Sequence, residues 1–189
     1  MTVFASGQSE VNTFVYLYKS AQFSLEGAKS SEEGQFYNLL NASVMLSFVV
    51  EAYVNHLGVI KGFPEWGENS NRTSIWKKYV ELRASVGLER AEVRVLYPLV
   101  KDVIEFRNTM AHGRTKKHKI SEVSEDILWP HRTKILTGWQ KFLVLENVEA
   151  VHQSVVALVV ELHGAAGLGD KPFRKFETSS MRITFSDNS

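Results

Sequence analysis

The chain has 189 residues, 44% of them hydrophobic and 23% charged, with a formal net charge of +1 and no cysteine. That length suits one well-filled core, or at most two very small ones, and the balance is that of an ordinary water-soluble domain. Near-neutral charge excludes a global basic field for nucleic acid, and the missing thiols exclude disulfides, cysteine nucleophiles and cysteine-ligated zinc or iron–sulfur centres.

Residues 1–8 lack the basic stretch and long apolar centre of a secretory leader. The apolar runs at 44–50 and 155–160 are closed by Glu51 and Glu161, well short of a bilayer span. The expectation is a cytoplasmic protein. Helical periodicity then dominates the chain. Phe14, Leu17, Tyr18, Ala21, Leu25 and Ala28 predict a first helix over about 10–29. Ser30 followed by Glu33 reads as a capping box for a second helix reaching about Leu57, apolar almost all round and therefore central. Residues 63–70 read as a loop. Ile75, Tyr79, Leu82 and Val86 mark a third helix, stopped by Gly87.

A fourth helix is predicted from near Glu89, with Pro98 either kinking it or opening its second half. Residues 113–132 read as a polar connector. Ile135, Trp139, Phe142, Val148, Val151, Val155, Leu158 and Leu162 predict helix from Thr133 to about Ala166, broken near Leu145–Asn147. The predicted class is all-α, an antiparallel bundle of four or more helices, with residues 1–167 as one helical domain and 168–189 as an irregular tail. Within that tail Met181–Phe185 alternates like a short strand.

The fourth helix carries the least expected residue. At about 100° per residue, Val93, Leu96, Val100, Ile104 and Ala111 fall within about 40° of the core-facing direction, and Arg107 lies in the middle of that stripe. A guanidinium there keeps its charge and needs a carboxylate or an anionic ligand. Glu51, on the apolar second helix, is the obvious carboxylate. His112 falls near the helix end, since Gly113 is a natural stop, and the terminal carbonyls favour an imidazolium.

The run Arg107-Asn108-Thr109-Met110-Ala111-His112 resembles the R-x4-H signature of the HEPN superfamily, including the polar residue directly after the arginine. The stretch Met45–Gly58, an apolar helix broken by an acidic residue, is also similar to such proteins. The resemblance covers about residues 12–165 and implies a helical bundle that dimerises so that two motifs meet across a two-fold axis. Many members are metal-independent endoribonucleases of toxin–antitoxin and other defence systems. Others have lost the motif and act as binding or scaffolding modules.

The residue chemistry agrees with the resemblance. RNA brings its own nucleophile, the 2′-hydroxyl, once a base takes its proton. Histidine suits that transfer or protonation of the leaving 5′-oxygen. Arginine offers donors for the developing phosphorane charge without a metal. Asn108, four residues before His112, lies on nearly the same face and would orient the imidazole or bind phosphate. Arg107 and His112 are about 140° apart on an ideal helix, so either the last turn unwinds or a second copy completes the site.

Glu51 and Asn55 are expected to form a supporting polar network rather than to act on substrate, since burial without partners would be costly. Arg114, Lys116, Lys117 and Lys119 would hold phosphates flanking the cleaved bond, or form a solvated loop. His152 and His163 read as surface residues too far apart to chelate a metal, and Trp76 and Trp139 as core. The expectation is therefore an RNA-cleaving homodimer with no cofactor and no metal, restrained by an antitoxin or other defence partner. The competing expectation is a non-catalytic module of the same class that binds a nucleotide or a protein, with Arg107 permanently engaged by Glu51.

Overall fold

The computed structural model describes residues 2–68, 70–113, 115 and 137–186, and among them the chain is mostly helical. The order is β1 (Thr2–Val11), α1 (Thr13–Ser30), α2 (Gln35–Ile60), a 3-10 turn (Pro64–Gly67), α3 (Ile75–Ser85), α4 (Val93–Leu96), α5 (Pro98–Ala111), α6 (Gly138–Phe142), α7 (Leu145–Ala165) and β2 (Glu177–Ser186).

α2 is the hub. It packs against α1, α3, α5 and α7, and buries Leu39, Leu46, Val49, Val50, Tyr53, Val54 and Leu57. At 26 residues and a mean hydropathy of 1.5 it is long and apolar enough to cross a bilayer; here that apolar girth meets other helices on several sides. α1 returns along it antiparallel. Phe14 meets the rings of Tyr53 and His56 at 5.1 and 5.0 Å, while Ser24 and Asn41 are hydrogen-bonded near the other end.

The start of α2 departs from expectation. Ser30 is still the last residue of α1, and its hydroxyl donates to the Gly27 carbonyl, so it cannot cap the next helix. Gly34, at φ 73°, is the N-cap instead. The Gln35 side chain donates back to the Ala28 carbonyl at 2.9 Å and closes the turn. At its other end α2 runs three residues further than expected, to Ile60. There Trp66 of the 3-10 turn is buried against Gly58, where any Cβ would overlap the indole.

Pro98 opens a helix rather than kinking one. α4 is a single turn, and α5 begins with proline at its first position, where no backbone donor is needed. Leu96 and Ala111, two members of the predicted stripe, are exposed, because the short α4 breaks the helical phase and α5 runs out at the surface, while Val93 at the stripe's start is buried. Near the C-terminus the break falls at Leu143–Val144, and Asn147 donates to the Phe142 carbonyl at 2.8 Å.

The chain is not purely α-helical, and the tail is not irregular. β2 pairs antiparallel with β1 in unbroken register from Thr2↔Ser186 to Val11↔Glu177. A Cβ on Gly7 would strike the Ser180 carbonyl, so glycine permits the close approach of the two strands. Asn12 fastens the ribbon to the helices: its N–H donates to the Phe176 carbonyl and its amide Nδ2 to the Lys175 carbonyl, both at 2.8 Å. The expectation of surface positions for His152 and His163 is also corrected. His152 stacks on Tyr18 at 5.6 Å, and Tyr53 Oη lies 3.1 Å from His163 Nδ1, so both imidazoles are partly buried.

Two apolar clusters result. The larger joins α1, α2, α3, α5 and α7 around Leu46, Tyr53, Tyr79, Ile104 and Leu158. The smaller gathers Leu25, Leu39, Ala42, Phe106, Leu143 and Val148, where α1 ends, α2 and α7 begin and α5 ends. Trp76 packs partly buried on the first cluster and Trp139 on the second.

Candidate functional site at the end of α5

The last turn of α5 lies over the smaller cluster. Phe106 is buried and stacks on Phe142 at 4.9 Å, which fixes the rotation of the helix. The next residue, Arg107, is thereby turned toward α2. Its Nη2 donates to Glu51 Oε2 at 2.7 Å, and its guanidinium lies 5.3 Å from the Phe48 ring. Phe48 and Glu51 are three residues apart on α2 and so share a face. The Arg107 side chain is 22% exposed and that of Glu51 45%. Among the described residues Glu51 is held at one nitrogen only, and Arg107 Nε is buried without an acceptor. This is a single-point contact, not the two-point fork by which arginine usually grips a carboxylate.

Asn108 and His112 are both exposed. The Asn108 carbonyl accepts the His112 N–H at 3.1 Å as the helix closes, with His112 in the C-cap position at φ −106°. Among the described residues a cleft of about 590 Å³ is lined by Met110, His112, Gly113, Thr115, Thr137 and Trp139. Arg107 and Asn108 stand outside that lining. One chain therefore gathers Arg107 with Glu51 and places His112 on the cleft, on a different side of the same helix end. Arg114, Lys116, Lys117 and Lys119 lie outside the described residues.

Asn55 has a partner that periodicity did not reveal. Lys78 of α3, only 6% exposed, donates from Nζ to Asn55 Oδ1 at 2.7 Å and stands 5.5 Å from the Trp66 ring. Burial lowers the Lys78 pKa, with Glu51 and Glu65 partly opposing the shift. Glu51 thus faces two cations, one in contact and one at longer range. Lys78 follows Lys77 in a polar stretch that reads as solvent-facing, and only the position of α3 across α2 buries it. A second network lies further along α5 and α7: Glu161 Oε2 accepts from Arg83 Nη1 at 2.6 Å and from the Tyr97 hydroxyl at 3.1 Å.

Among the described residues no group of three or more histidine, aspartate or glutamate side chains is placed to hold a metal ion. What the helix end offers is a cation, an amide and an imidazole, which suits binding of a phosphate and proton transfer near it. No protein-family model, curated protein or solved structure matches this chain.

Proposed function

We propose that the chain is a HEPN-like, metal-independent endoribonuclease that works as a homodimer. The observation that carries this reading is the single-point hold of Glu51 on Arg107 at the end of α5, with Asn108 and His112 exposed beside it. A guanidinium committed to structure alone would be expected to use its fork and to lie deeper. Arg107 is instead steadied by one carboxylate oxygen and the Phe48 face, and remains partly open to solvent. Its charge would stabilise the phosphorane, His112 would move the proton of the 2′-hydroxyl or the leaving 5′-oxygen, and Asn108 would orient one of them.

Because Arg107 and His112 face different sides of one helix end, a two-fold dimer supplies the arginine of one copy to the histidine of the other. Arg114, Lys116, Lys117 and Lys119 would contact flanking phosphates. A cytoplasmic setting and a restraining antitoxin or defence partner belong to the same proposal. The products would carry a 2′,3′-cyclic phosphate and a 5′-hydroxyl. The test is cleavage of tRNA, rRNA and mRNA in EDTA by the parent and by His112→Ala, with product ends mapped. Cyclic-phosphate ends that vanish in the variant support the reading, and parent-like cleavage by the folded variant removes it.

The Glu51–Arg107 pair itself favours a second reading, a non-catalytic module of the same fold that binds a nucleotide or a protein. It expects ligand binding or dimerisation with no RNA turnover by either protein.

A further inference from the structure

At the far end of the helical core lies a second cavity of about 600 Å³, within the range of small-molecule sites. The stretch of α2 from Ala42, beneath the α5 end, to His56, on this cavity, spans roughly 20 Å, so the two sites are separate. Its charged lining is one-sided. Lys171, Arg174 and Lys175 come from the segment after α7, His56 from α2 and His163 from α7, against the single carboxylate of Glu10 from β1.

The three cations sit on anchored backbone. Phe173 stacks on Tyr18 at 3.8 Å with the rings 14° from parallel. Asn12 takes the Lys175 and Phe176 carbonyls at 2.8 Å each, and Lys61 Nζ donates to the Ala166 carbonyl at 2.9 Å just upstream. The backbone there is already ordered, which leaves the exposed side chains of Lys171, Arg174 and Lys175 for a ligand to order.

Both histidines line the same cavity as the cations. Burial pushes the Tyr53 hydroxyl pKa up, so it keeps its proton beside His163 Nδ1, 3.1 Å away. Burial also lowers the His56 and His163 pKa values; Glu10 partly opposes the shift at His56, and the His163 charge adds to it. A bound anion would reverse the effect of burial on both. The rest of the wall mixes the apolar Phe14, Ile60, Leu168 and Pro172 with the polar Asn12 and Thr178.

We propose that this cavity binds a small phosphomonoester, its phosphate among Lys171, Arg174, Lys175 and His163 and its organic body against Phe14, Ile60 and Leu168. The site is independent of the chemistry assigned to α5. Phenyl phosphate is the probe, titrated calorimetrically into the full chain beside inorganic phosphate, with the imidazole resonances of His56 and His163 followed by NMR across pH. The expected result is one saturable site per chain, binding phenyl phosphate more tightly than inorganic phosphate and moving both histidine titrations to higher pH. The exposed charge reversals Lys171→Glu and Arg174→Glu together should weaken binding at least tenfold, whereas the equally charge-changing Lys19→Glu with Lys77→Glu should leave it unchanged. Equal affinity for inorganic phosphate would make this a free-anion site and overturn the ester. Equal loss in both double variants would reduce it to bulk charge, and the absence of saturable binding would remove the site. His112→Ala should bind phenyl phosphate like the parent, which separates failure here from failure of the ribonuclease reading.

Discussion

Glu51 Oε2 accepts from Arg107 Nη2 at 2.7 Å while Nε of the same guanidinium, buried, has no acceptor among the described residues. The pair therefore steadies Arg107 in one direction without occupying its whole fork. With the carboxylate side chain 45% exposed, solvent screening limits its contribution to stability to about 1 kcal/mol.

This relationship separates positioning from chemistry. Arg107→Ala should lower RNA cleavage by about a hundredfold or more, the usual effect of removing a donor to a developing oxyanion. Glu51→Gln, which keeps a hydrogen-bond acceptor beside Arg107, should lower kcat only a few-fold and shift Tm little. Initial rates and thermal melts on the same preparations decide it. A Glu51→Gln loss as deep as that of Arg107→Ala would make Glu51 part of the chemistry.

A composite site makes a second prediction by mixing. Neither Arg107→Ala nor His112→Ala should cleave alone. Unfolded together and refolded, they should form heterodimers in which one of the two proposed sites combines an intact arginine with an intact histidine. With random pairing, about a quarter of the parental activity should return. A mixture that stays silent despite proven heterodimers would place both residues in one chain's own site, or in none.

Three half-buried histidines set a pH dependence. Burial lowers the pKa of His56, His152 and His163 below the ordinary 6.5. Each takes up its proton in the unfolded chain at a higher pH than in the folded one, so the unfolded state binds more protons in that interval. Stability should therefore be fully present above about pH 6.5 and fall as pH drops from there through the folded values. His152, stacked on Tyr18 with Nε2 buried and unpartnered among the described residues, offers the cleanest test. Urea midpoints of His152→Phe should decline less steeply between pH 7 and pH 5 than those of the parent. An unchanged slope would clear His152 of the effect.

Gly58→Ala should destabilise by about 1–3 kcal/mol, the usual cost of overfilling a close-packed site. The added Cβ would overlap the Trp66 ring, which itself packs on Phe63 and beside Lys78. Chemical denaturation measures the loss, and a near-UV circular dichroism change should accompany it as the indole is displaced. An unaltered midpoint would mean the 3-10 turn yields freely.

Glu161→Ala should cost more, about 3 kcal/mol or above, because it strands the nearly buried Arg83 cation. Replacing both, as in Arg83→Met with Glu161→Leu, should recover most of that loss. Denaturation midpoints of the single and double variants form the cycle that tests it. A double variant as unstable as Glu161→Ala alone would show that the pair contributes through something other than mutual charge.

The extent to which the sequence disclosed this can be traced through individual residues. Helical spacing located α1, α3, α5 and α7 within a few residues, because a buried stripe must repeat every third or fourth position wherever it packs. Arg107 and Glu51 stood out because each interrupts such a stripe. Lys78 did not, since nothing local distinguishes it from Lys77. The strand β1 was missed and β2 only glimpsed, as each finds its hydrogen bonds on a segment at the other end of the chain. His56 and His163 could be connected only through the meeting of α2 and α7.

The sequence by itself determined that this is a mostly helical protein, with α2 as its apolar hub and an arginine, an amide and a histidine closing α5, because helical period and residue chemistry are local properties. Tertiary structure alone decided that Arg107 is held by Glu51 at a single nitrogen, that Lys78 is buried on Asn55 and that the chain ends close a ribbon over a basic cavity. Those are contacts between distant segments, and they are set by how helices pack and strands pair rather than by any pattern along the chain.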